Sequence, residues 1–172
     1  MNILNFFLDN SVLILGAFTA IKGVYEYSQK RRFEKNLFLH EQINKFFSIE
    51  EVQVAHRLLD WNATKIHYNG IDYYFDDASI LAGVQTQEKK NKFNEKEVVI
   101  RKVFDRYFDE LNHLIILKDC NLIDESNLRR FLKYWIDILK GEKRNKPEIV
   151  ITSILQYLDY YDYKDVKKFI LK

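Results

Sequence analysis

From Val12 to Ile21 the chain runs ten residues without a charge, and a basic cluster of Lys30, Arg31, Arg32 and Lys35 follows close behind. No other feature restricts the fold as much, because a helix that is apolar all round has to be covered by something. A membrane-spanning helix needs about 20 predominantly apolar residues to cross about 30 Å of hydrocarbon. The uncharged run is half that length, so the flanks must supply the rest. Ile3, Leu4, Phe6, Phe7 and Leu8 extend it upstream, and Gly23, Val24, Tyr25 and Tyr27 extend it downstream. Lys22 snorkels its ammonium towards the interface, and the two tyrosines suit the aromatic belt.

The basic cluster then acts as a topology determinant and holds the carboxyl-terminal side in the cytoplasm. The expected organisation is a membrane anchor over residues 1–29 and a cytoplasmic helical domain over residues 30–172. The protein is expected in the cell inner membrane, single-pass, with its amino terminus outside. A cleaved signal peptide would carry its positive charges before the apolar run. An interfacial helix would show a polar face within the run. A helix buried in a core is the competing reading.

Gly16, Thr19, Ala20 and Gly23 place small residues along one stripe of this helix, with Lys22 beside them. Such stripes allow close helix–helix approach, so self-association into a homo-oligomer is an expectation. A cation near lipid is also better tolerated beside a partner helix or water.

The other 140 or so residues have the makings of one packed domain. The chain is 47% hydrophobic and 15% aromatic, with one proline and five glycines. Its net charge of +2 makes no global electrostatic case for nucleic acid, and none is expected as a partner. The lone Cys120 excludes an internal disulfide and any cysteine-only metal cluster.

The fold class is mainly α, a transmembrane helix followed by a helical bundle with one β-hairpin at about residues 64–75. Phe33, Leu37, Phe38, Ile43, Phe46 and Phe47 continue the first helix at helical spacing. Ser48 with Glu51 reads as a capping box opening the next helix. Asn69-Gly70 between Thr64–Tyr68 and Ile71–Phe75 signals a two-residue type I′ hairpin. Asp76 or Asp77 caps a short helix over 78–84, and a charged loop spans 86–97. Further helices are expected from about Glu95 to Lys118, from Asp124 to Gly141, over 149–160 and over 163–171, with Pro147 at a first helical position.

Two patterns could carry chemistry or recognition. Glu97, Arg101, Asp105, Asp109 and His113 recur every four residues and share one helix face. Carboxylates and an imidazole on one face could hold a metal or orient a proton-transferring histidine. The alternating signs fit a ladder of i,i+4 ion pairs better. Arg101, Asp105, Asp109 and His113 are therefore candidates for a polar interaction face. Near the end, Tyr157, Tyr160, Tyr161 and Tyr163 form a dense aromatic group, suited to a contact surface or to the end of a bundle. The five glycines are scattered and form no phosphate loop, and no metal, cofactor or catalytic set is expected.

The stretches Ile100–Asp109, Leu122–Asp124, Phe131–Leu139 and the aromatic end from Tyr157 to Phe169, behind an apolar first helix, together resemble uncharacterised families of small bitopic bacterial membrane proteins. That resemblance implies a membrane-tethered helical module of unknown function, sometimes encoded beside mobile-element or defence genes, with no activity to carry over. The leading functional expectation is a membrane-tethered, non-enzymatic adaptor that binds an unknown protein partner. Its alternatives are an oligomeric membrane-disrupting effector in stress or phage defence, and an enzyme or sensor using Asp105, Asp109 and His113.

Overall fold

A computed structural model of the chain describes residues 11–90 and 92–172, with side chains described from Leu15 onward. Helix α1 runs without a break from Ser11 to Ser48, 38 residues or about 57 Å. The boundary expected at residues 29 and 30 falls inside it. Then come α2 (Glu50–Asp60), strands β1 (Ala63–Tyr68) and β2 (Ile71–Asp76), and α3 (Asp77–Gly83). They are followed by α4 (Glu95–Asp119), α5 (Glu125–Leu139), α6 (Glu148–Tyr160) and α7 (Lys164–Leu171).

The expected transmembrane helix is overturned. Among the described residues, no helix is long and apolar enough to cross a membrane. The apolar run is only the first part of α1, and polar residues interrupt the helix beyond it. Lys22 pairs with Glu26 at 3.7 Å and Lys30 with Glu34 at 3.8 Å, and Arg31 and Arg32 follow the same exposed stretch. The single-pass topology and the inner-membrane location fall with the span. Met1–Asn10, on which the upstream flank relied, lie outside the described residues.

The mainly helical body with one hairpin is present. The carboxyl-terminal third of α1 buries Leu39, Ile43 and Phe46 against α2, α4 and α5. Helix α4 is the axis of the body, with Ile100, Val103, Phe104, Tyr107, Phe108 and Leu111 all at 2% exposure or less. Its start is fixed by Asn94, whose side chain accepts from the Glu97 amide while Glu97 accepts from the Asn94 amide. The strands pair antiparallel with Tyr68 opposite Ile71 across Asn69-Gly70, whose φ angles of 51° and 80° match the type I′ requirement. Ile66, Tyr68 and Phe75 point inward and seat the hairpin on the helices, which an isolated hairpin requires.

Local signals at helix ends fared unevenly. Asp76 does cap α3, accepting from the Ser79 amide at 2.8 Å. The Ser48–Glu51 box does not form, because Ser48 still belongs to α1 and its hydroxyl donates back to the Lys45 carbonyl at 2.7 Å. Ile49 is the residue between α1 and α2, with no side-chain cap. Pro147 sits one position before α6 rather than at its first turn.

Candidate functional site

The two residue groups singled out as recognition surfaces turn towards each other. Helix α6 lays its tyrosines beside the polar face of α4. Arg101 donates through Nη1 to the carbonyls of Gly83 (3.1 Å) and Gln85 (2.8 Å), and through Nη2 to the Tyr161 hydroxyl. Its guanidinium also lies over the rings of Phe93 (4.3 Å), Tyr157 (5.3 Å) and Tyr161 (5.1 Å). One side chain thus ties α4, the segment after α3 and the end of α6 together. A planar five-donor fork that also stacks on aromatic faces suits this place.

One turn on, the Tyr157 hydroxyl donates to Asp105. Tyr163 donates to Asp109 at 2.9 Å, a contact that straps the α6–α7 junction to α4. Burial raises the Asp105 carboxyl above the usual carboxylate range, while the Tyr157 hydroxyl and the Arg101 charge pull it back. Burial first, and the facing carboxylates second, hold the Tyr157 and Tyr163 hydroxyls protonated far above neutrality. These hydroxyls are donors, not bases. The expected ion-pair ladder is replaced by this network: Glu97 pairs with Lys90 at 2.6 Å, and on α4 the i,i+4 ion pair is Arg106–Glu110 at 2.7 Å. His113 and Tyr160 are exposed and stand outside it. Among the described residues, no group of three or more His, Cys, Asp or Glu is placed to hold a metal ion.

Other polar joints were not legible in the sequence. Lys146 has a fully buried side chain, and its ammonium donates to the Trp61 carbonyl at 2.6 Å and to Asp77 at 2.5 Å. Next to it, Asp60 accepts from the Tyr134 hydroxyl and from the Asn145 amide at 2.7 Å. His56 is enclosed by Phe46, Phe47, Tyr107 and Trp135, with its Nε2 unpaired. These contacts join residues 69 to 85 positions apart or pair rings across helices, so spacing along the chain carries no trace of them.

No protein-family model, curated protein or solved structure matches this chain. Its site must be read from its own geometry.

What the body leaves open is the first part of α1. Every described side chain from Leu15 to Glu34 is exposed. Leu15, Phe18, Ile21, Val24, Tyr25 and Tyr27 are each 63–71% exposed on an arm of about 35 Å. Gly16, Thr19, Ala20, Lys22 and Gly23 lie on it too, and a Cβ built at either glycine meets no atom within 4 Å. Thr19 folds its hydroxyl back onto the Leu15 carbonyl at 2.9 Å. Where the arm meets the body, Lys35 donates to Asn121 at 2.7 Å and lies 3.6 Å from Asp124, pinning α1 to the α4–α5 turn.

Proposed function

We propose that this chain is a non-enzymatic helical interaction module whose association element is the exposed arm of α1, and that it works as a homo-oligomer. One observation carries the reading. Six large apolar side chains, Leu15, Phe18, Ile21, Val24, Tyr25 and Tyr27, stand at 63–71% exposure within thirteen residues, on a segment whose described side chains are all exposed. So many exposed large apolar side chains on one short segment mark an interaction site. Helices in proteins gain most of their stability from packing an apolar face rather than from propensity. The network on α4 supports the same division of labour, because Arg101, Asp105, Asp109 and three of the four candidate tyrosines are engaged in holding the body together.

The test is sedimentation equilibrium of the full chain beside a full-length variant carrying Phe18→Asp and Ile21→Asp. The native chain should show a mass that rises with concentration above the 20.8 kDa monomer. The variant should stay monomeric, with circular dichroism that keeps the signal of the body. A native chain that is monomeric at every concentration sinks the proposal.

A further inference from the structure

The helical phase of α1 specifies which side of the arm is the sticky one. Leu39 and Phe46 face the body, and counting back from them in steps of seven gives Arg32, Tyr25 and Phe18, with Ile21 between the last two. Each seven-residue step falls about 20° short of two full turns, so Phe18 lies about 60° round from Leu39, yet Phe18, Ile21 and Tyr25 together centre within about 30° of Leu39, Ile43 and Phe46. The seam that α1 buries against the body therefore continues past the body's edge, uncovered, as Tyr25, Ile21 and Phe18, at 63%, 67% and 68% exposure. The small residues Gly16, Thr19, Ala20 and Gly23 lie on the opposite side of the same helix.

We infer that the occupant of this seam is the same seam of a second copy, running antiparallel. The inference rests on the proposal that the arm is the association element, and adds its face, its partner and its direction. Phe18 of one copy lies across from Tyr25 of the other, and the twofold axis passes between Ile21 and Lys22. An isologous contact requires this reciprocity, each residue meeting its partner's counterpart in both directions.

Three features select the antiparallel arrangement. The first is space. The body packs on the same side of α1 as the seam, so a parallel second helix would run its own residues 36–48 into the volume filled by α2, α4 and α5. An antiparallel helix carries its own residues 36–48 away from the first body, to the far side of the first copy's Ser11. The second is charge. Arg32 occupies a seam position, and Lys30 and Arg31 adjoin it. Parallel pairing stacks both clusters, whereas antiparallel pairing places each Arg32 opposite the other copy's Ser11 and separates the clusters by about 30 Å, beyond the Debye length of about 10 Å. The third is area. Phe18, Ile21 and Tyr25 from two arms, at roughly 100–150 Å² apiece, with Ala17, Val24 and Ser28 at the margin, approach the lower bound of about 1,200 Å² for stable interfaces. The dimer is therefore weak and concentration-dependent.

The experiment is double electron–electron resonance on the full chain in a Cys120→Ser background, spin-labelled in turn at Thr19→Cys and Lys30→Cys. Antiparallel pairing offsets the two labels along the helix by about 8 Å at position 19 and about 25 Å at position 30, so the second distance should exceed the first by about 10 Å. Equal distances at both positions mean a parallel pair and overturn the direction while leaving self-association intact. As a second arm, Ile21→Glu should weaken the dimer at least tenfold, and Gly16→Leu with Ala20→Leu should leave it unchanged. The reverse pattern assigns the contact to the small-residue face and overturns the seam. No dimer at all, including the case in which the chain instead floats with neutral phosphatidylcholine vesicles, overturns both this inference and the proposal beneath it.

Discussion

The imidazole of His56 lies flat on the indole of Trp135, ring centroids 3.7 Å apart and planes 6° from parallel, and so locks α2 to α5. Phe46, Phe47 and Tyr107 close the other sides, and Nε2 is left without a partner. Burial depresses the His56 pKa from 6.5 to about 3, against the opposing pull of Asp60.

The unfolded chain therefore takes up this proton first as pH falls. The contribution is fully present above pH 6.5 and is lost progressively on acidification towards pH 3. Between pH 7.5 and pH 5 it should lower stability by about 2 kcal/mol. Urea titrations at the two pH values measure this, and His56→Phe should flatten the dependence by that amount. An unchanged slope in the variant would show that His56 is not the group responsible.

Lys146 and Asp77 form a pair that the fold needs as a pair. Removing one member of a buried ion pair typically costs about 3–5 kcal/mol, because the other is left without compensation. Asp77 retains 25% side-chain exposure, so Lys146→Ala should fall at the low end, about 3 kcal/mol. Lys146→Met together with Asp77→Asn should recover part of that loss. A double-mutant cycle from thermal unfolding reads the coupling, and simple additivity of the two single changes would refute it.

Arg101 holds the segment that follows α3 against the end of α6. Lysine keeps the charge but not the planar fork, so Arg101→Lys should behave nearly as badly as Arg101→Ala, each losing about 2 kcal/mol. Limited proteolysis should show faster cleavage within residues 85–94 in both variants. Native-like cleavage in the lysine variant would mean that charge alone suffices.

Helix α3 lies so close to α4 that a Cβ at Gly83 would sit 2.6 Å from Cγ2 and 2.8 Å from Cβ of Ile100. Gly83→Ala should destabilise by about 1–3 kcal/mol through overpacking. Combining it with Ile100→Ala removes the Cγ2 contact but keeps the Cβ at 2.8 Å, so the pair should relieve part of the clash and cost less than the sum of the two changes; strict additivity in chemical denaturation would contradict the contact.

Much of the body could be read from local pattern. The hairpin followed from Asn69-Gly70 and its β-branched and aromatic flanks, and α4 and α5 from apolar residues at helical spacing, because those signals act within a few residues of one another. The tyrosine-rich end and the Arg101–Asp109 face were each visible as a cluster, but nothing along the chain said that they face each other. The Ser48 cap failed for a related reason: α1 simply ran on through it, since Phe46 and Ile43 were already committed to the core.

By itself, then, the sequence determined helix against strand and the turn at Asn69-Gly70, while the apolar start of α1 read as a membrane span that the structure overturns. Tertiary structure alone decided that Arg101 meets Tyr161, that Lys146 is buried beneath Trp61, that His56 stacks on Trp135, and that Gly83 must lack a side chain. The physical reason is range. Backbone preference and helical phase are set by neighbours within about one turn, whereas the partner of a buried polar or aromatic group is fixed only when distant segments close on a shared core.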